Sequence, residues 1–267
     1  MTVATRWASW AIVAILVPAA VVLWGLPGRT AEAWAWPVAP PMTAVFMGAG
    51  YAAGAYFFAR VATARRWHTV SAGVLSAAVF AALMLVPTLV HYDRFNHGHA
   101  PVLAAVAFYG WVIVYVAAPA LVAVLWWRNQ RFDPRDDEPP AVPLAARGVA
   151  AVVGAGALTA AAAVLLAPSL AIGHWAWNLT PLTARVLACF TAQVGCGSLL
   201  LALDRRWSAW RILLQTFLLA SLLVVAGALR VGGAGTAFPG ALIAMAVVVA
   251  AFYAAMERRT VGGIGSP

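Results

Sequence analysis

The chain contains no lysine: its 17 basic residues are all arginines, and only eight carboxylates accompany them. Charged residues therefore fill 9% of 267 positions, far below the roughly one quarter found in water-soluble domains. That scarcity excludes a fold solvated by water on all sides. Lysine codons are AT-rich, so an arginine-only basic set among many alanines and glycines follows from a GC-rich genome and carries no functional message. Cysteine is almost missing as well. Cys189 and Cys196 lie seven residues apart in one apolar stretch, on one helical face but about 10 Å apart along the axis, out of reach of a disulfide. No CxxC, CxxCH or zinc-finger spacing occurs, so both cysteines read as packing residues. A GxxxxGKS/T loop is also absent, which leaves nucleotide-driven activity without its phosphate cradle.

What the chain has is apolar length. Hydrophobic residues make up 64% of it, and runs near the roughly 20 residues that cross a bilayer fall at about 7–26, 41–59, 70–90, 101–127, 148–170, 182–203, 210–229 and 238–256. The expected fold class is all-α, a polytopic membrane protein with eight transmembrane helices. Pro87 and Pro119 interrupt the third and fourth runs, which neighbouring helices tolerate by satisfying the freed carbonyls. The first run, Trp7 to Leu26, exceeds the about 7–15 apolar residues of a signal peptide and lacks an A-x-A exit, so it reads as a retained helix.

The net charge of +9 would suit nucleic acid if the arginines formed a patch, but they flank the apolar runs instead. Thirteen of them, from Arg6 to Arg259, fall at one set of helix ends, and Arg29, Arg94, Arg185 and Arg230 fall at the other. The bias predicts that the thirteen are cytoplasmic, with both termini. No nucleic-acid partner is expected. The lipid bilayer is, together with a membrane-protein partner or a second copy of the chain.

The sequence also repeats itself. Trp34-Ala35-Trp36, Pro41-Met42-Thr43-Ala44 and Arg65-Arg66-Trp67 recur as Trp175-Ala176-Trp177, Pro181-Leu182-Thr183-Ala184 and Arg205-Arg206-Trp207, displaced by 141 residues in the first block and 140 in the others. Nine identities in constant order predict a duplication. Residues 1–127 and 147–258 are then two four-helix repeats, 128–146 a cytoplasmic linker and 259–267 a disordered tail. With four spans each, both repeats enter from the same side and are parallel, related by an axis along the membrane normal. The WxW elements are expected at the outer interface, with ring bodies in lipid and N–H groups in the headgroup zone.

Polar chemistry is sparse. The middle of the runs holds no acidic, basic or histidine side chain, which speaks against a proton pump built on buried carboxylates. Gln193 and Gln215 are candidate ligand-binding residues whose repeat counterparts are Ala53 and Leu75, so a polar cavity would be asymmetric; the plainer reading is helix-to-helix hydrogen bonding. Gly50 and Gly54 form a GxxxG, which admits a close neighbouring helix. His91, Asp93, His97 and His99 crowd one outer loop, and His174 lies in the matching region of the second half. These are competent metal ligands, although HxD and HxH match no established zinc motif and equally fit an interfacial hydrogen-bonding loop. Arg185 replaces Val45 of the first half; it reads as snorkelling to the headgroups, as an ion-pair partner of Asp93 or Glu32, or as a site for an anionic ligand.

The stretches Trp175-Ala176-Trp177-Asn178-Leu179-Thr180-Pro181-Leu182-Thr183-Ala184-Arg185 and His91-Tyr92-Asp93-Arg94-Phe95 resemble signatures of a family of multi-pass membrane proteins common in actinobacteria. The resemblance implies a bacterial plasma-membrane location over most of the chain and supplies no catalytic residue and no cofactor. Three function classes follow from the residues. Small-solute or lipid-associated transport fits an inter-repeat pathway. A non-catalytic assembly or interaction subunit fits the small residues and many tryptophans. A membrane enzyme, or a metal or haem protein, fits the outer His/Asp loop.

Overall fold

A computed structural model describes residues 1–98, 100–132 and 140–262. The described residues are helical apart from turns and one isolated bridge between Ala141 and Arg206. The long helices are α1 (Val3–Ala20), α3 (Pro41–Thr63), α4 (His68–Val90), α5 (Val102–Asn129), α6 (Leu144–Leu166), α7 (Pro181–Leu203), α8 (Trp207–Val231) and α9 (Ala237–Gly262), with α2 a single turn at Thr30–Ala33. α1 continues as a π-turn over Val21–Gly25. Eight of these segments are apolar and 23 to 31 residues long, more than the roughly 20 needed to cross hydrocarbon. The chain is an integral membrane protein by that measure.

Local chemistry sets the helix ends. Pro41 and Pro181 open α3 and α7 at a position whose N–H would have no intrahelical partner. Thr180 adds a reciprocal cap with Thr183, which Pro40 has no side-chain donor or acceptor to reproduce. At the opposite ends, Arg6 Nη2 donates to the Ala64 carbonyl (3.4 Å) and Arg147 Nε to the Ala202 carbonyl (2.8 Å), covering acceptors that a helix terminus leaves open. The α7–α8 turn is held by Asp204, which takes bonds from the backbone and side chain of Arg206. Burial opposes the Asp204 charge, but those bonds and the guanidinium outweigh it and hold the carboxyl below its ordinary value.

In the packing, α3 lies between α1 and α8, while α7 lies between α6 and α4. α4 and α8 touch each other, α5 leans on α4, and α9 leans on α8. One buried core therefore joins the halves: Met42, Val45 and Ala49 of α3 pack with Trp177, Leu187 and Val224. Arginine-rich turns gather at one end of the bundle, where α1 starts beside the end of α3 and α8 starts beside the end of α9. This is called the basic end below.

Several expected boundaries shift, those of α6 and of the tail among them. The fifth run was expected at 148–170, but α6 stops at Leu166 because Pro168 forces Ala167 out of helical geometry. The tail was expected from 259, whereas α9 stays helical to Gly262. Residues 133–139 of the linker and 263–267 of the tail lie outside the described residues, while Val142 is docked on the second half through its N–H bond to the Arg205 carbonyl (2.8 Å).

Candidate functional site

Opposite the basic end, Arg185 in the second turn of α7 reaches the end of α4. Its Nε donates to the Leu165 carbonyl at the close of α6 (2.9 Å), and its Nη1 lies 2.9 Å from His91 Nε2. A guanidinium has only donors, so His91 must accept through Nε2 and stay neutral. Burial lowers the His91 pKa, and the Arg185 charge lowers it further. Arg185 thus ties three helix ends together, and neither Asp93 nor Glu32 is its partner. Asp93 pairs instead with its neighbour Arg94 at 3.2 Å in solvent, and Glu32 is exposed in α2.

The remaining histidines go separate ways. His97 stacks on Tyr92, with centroids 5.1 Å apart and planes at 18°. His174 is exposed in the turn after α6, and His99 lies outside the described residues. Among the described residues, no three His, Cys, Asp or Glu side chains are placed to hold a metal. The loop is held by Asn96, whose side chain donates to the Trp34 carbonyl (2.9 Å) and whose N–H donates to that of Ala35 (2.7 Å).

The two glutamines differ in kind. Gln215 is committed to the protein: its Oε1 accepts from Tyr56 (2.7 Å) and Arg60 (3.1 Å), and its Nε2 donates to Tyr253 (2.7 Å). The chain runs on to Arg211 and Glu257, which pair at 2.7 Å, so α3, α8 and α9 are laced together from the basic end inward. Gln193 has no hydrogen-bond partner among the described residues and is half-buried near the middle of α7. It follows Phe190 by three positions and precedes Gly197 by four, and so shares their face. Phe190 packs on Phe80 of α4 at 4.7 Å, and Gly197 faces Ser76 of α4. Gln193 therefore lies on the side of α7 that carries the α4 contacts, with its carboxamide unpaired and only partly covered.

No family model, curated protein or solved structure matches the chain. Its chemistry has to be read from its own side chains.

The tryptophans of the WxW elements are not interfacial anchors. Trp36 is 2% exposed and meets Trp111 edge-on at 4.9 Å and Phe95 at 5.1 Å. Trp177 is buried too, and its N–H donates to Thr43 across the halves (2.8 Å). The N–H groups of Trp34, Trp36 and Trp175 are buried without a partner among the described residues. Tertiary packing has drawn these large aromatic bodies inward, where they join the core clusters at that end.

Tryptophans that do stay outside include Trp127 near the end of α5 and, on α1, Trp7 and Trp10, the last two 71% and 45% exposed. With Arg6, Thr63 and Arg65, Trp7 and Trp10 line an open cleft of about 620 Å³ between the start of α1 and the end of α3. Both arginines counted only as orientation signals in the sequence. The spacing of Trp7 and Trp10, three apart beside a basic residue, was the available sign that they share a face.

Proposed function

We propose that this membrane protein transports a small hydrogen-bonding solute or lipid-derived molecule along the seam between two copies of a four-helix unit. Gln193 carries the reading. An unpaired carboxamide in the middle of a membrane bundle is costly, whereas Gln215 is satisfied by its three partners, Thr191 by the Leu187 carbonyl and Ser76 by that of Gly73. A passing ligand supplies the partner that Gln193 lacks.

The duplication is supported by contacts between residues that are 140 apart, the displacement of the repeat itself. His68 Nε2 lies 2.9 Å from Ser208 Oγ. The Phe190 ring lies over Gly50, and Leu213 over Gly73. A residue that touches its own counterpart sits on a two-fold axis, and an axis through the α3/α7 and α4/α8 pairs runs along the helices. The exchanged packing of α3 on α8 and α7 on α4 fits the same operation, as do Arg6 and Arg147, 141 apart, capping equivalent helices. Parallel repeats about such an axis form an interface suited to alternating access.

Two variants test this in proteoliposomes loaded against a panel of neutral and zwitterionic solutes. Gln193→Leu should raise KM for the carried solute by about three- to tenfold, the worth of one hydrogen bond, without lowering thermal stability. The Ser76 and Gly197 positions have Cβ atoms 3.8 Å apart once a side chain is placed at 197, near the mean of about 3.8 Å for disulfides. Ser76→Cys with Gly197→Cys, in a background without Cys189 and Cys196, should therefore stop uptake on oxidation and restore it on reduction. Uptake equal to protein-free vesicles across the panel, or unaffected by the locked seam, would sink the transport reading.

A further inference from the structure

We propose that the cleft between α1 and α3 binds the phosphate-bearing headgroup of an anionic phospholipid. This inference stands apart from the transport reading and rests on different residues. Two guanidinium groups arrive from separate segments, Arg6 on α1 and Arg65 just past α3, and no carboxylate lines the cleft. Arg65 is exposed and has no partner among the described residues. Arg6 spends one long bond of 3.4 Å on the Ala64 carbonyl, which leaves most of its five donors available. The donor fork of a guanidinium matches phosphate oxygens.

Position and shape favour a lipid over a free anion. The cleft opens where α1 begins, at Val3, and α3 ends, at Thr63, the level at which hydrocarbon gives way to headgroups. Trp7 and Trp10 hold indole rings against its wall while remaining 71% and 45% exposed. Such rings are at home in the interfacial zone, where they pack on glycerol and upper acyl carbons. The volume of about 620 Å³ falls within the roughly 300–1,000 Å³ of small-molecule sites.

The second half provides an internal contrast. Arg147 and Arg205 stand where the first half has Arg6 and Arg65, but Gly148, Ala151 and Leu203 replace Trp7, Trp10 and Thr63. Orientation signals alone would need the arginines in both halves and nothing more. The first half adds two aromatic walls and a hydroxyl to the same pair of charges.

Native mass spectrometry of the full chain in detergent, titrated with dioleoylphosphatidylglycerol or dioleoylphosphatidylcholine, tests the assignment. The glycerol lipid should bind more tightly than the choline lipid. Arg65→Gln, which removes no intramolecular bond, should weaken its binding by about fivefold, and Arg6→Gln with Arg65→Gln by about 25-fold, from about 1 kcal/mol for each arginine at a membrane surface. Trp7→Leu should weaken both lipids. Arg258→Gln with Arg259→Gln, which removes two exposed charges on α9, should change nothing. Equal binding of the two lipids, or an equal loss in the α9 pair, would overturn the proposal. Displacement of the glycerol lipid by millimolar inorganic phosphate would also overturn it and assign the cleft to a free anion.

Discussion

His91 and Arg185 form a contact that only one protonation state allows. Arg185 can donate to His91 Nε2 only while that nitrogen keeps its lone pair, so acid breaks the bond and leaves two positive groups facing each other across 2.9 Å. Because burial and Arg185 lower the folded pKa of His91 below its ordinary 6.5, the unfolded chain takes up the proton first. The stability from this contact is complete above about pH 6.5 and is lost as pH falls from there through the lowered folded value. Thermal melts in detergent should show that loss in the wild type and a smaller one in His91→Gln, whose amide oxygen still accepts from Arg185 without titrating. An identical pH dependence in the variant would assign it to another group. Arg185→Gln should cost about 1–2 kcal/mol at pH 8, since the Leu165 carbonyl loses a charged donor as well. Sequence reasoning singled out both residues, but it supplied Arg185 with carboxylate partners because opposite charge is the strongest cue a linear chain offers. A neutral imidazole 94 positions away leaves no comparable trace.

At the scale of helices, the close approaches are set by small residues, and not by the GxxxG that stands out in the sequence. Gly50 and Gly54 serve different neighbours: the first lies under the Phe190 ring of α7 and the second beside Leu16 of α1. A reciprocal close backbone crossing joins α6 and α7, where a Cβ on Gly154 would lie 2.9 Å from the Gly195 carbonyl and one on Gly195 would lie 3.0 Å from that of Gly154. Backbone cannot move aside as a side chain can. Gly195→Val should therefore destabilise the protein by about 1–3 kcal/mol, while Gly156→Val, two positions past Gly154 on α6 with nothing within 4 Å, should be neutral. Comparable melting temperatures for the two would show that α6 and α7 are not in contact as described. Helix existence was legible because long apolar runs are a local property. The glycine contacts were not, since which face of a helix meets a neighbour depends on the whole bundle when every face is apolar.

For the molecule as a whole, the arginine distribution makes a directional prediction. In a background lacking Cys189 and Cys196, a cysteine at exposed Tyr92 should react with an impermeant maleimide in intact cells, and one at exposed Thr63 should react only after lysis. The reverse pattern would invert the orientation. Composition and run length by themselves determined that lipid is the solvent, that eight helices cross it and where most of them start and stop, because each of these depends on a window of about 20 residues. Order and spacing of the WxW, PxTA and RRW blocks likewise exposed the repeated pattern. Only the tertiary structure decided that the WxW rings turn inward, that Gln215 is saturated while Gln193 is left open, that the outer histidines diverge and that Arg6 and Arg65 meet beside two tryptophans. Those outcomes rest on contacts between residues as much as 159 positions apart. Among helices apolar on nearly every face, the hydropathy pattern ranks no pairing above another, and shape complementarity and the few polar side chains make the choice.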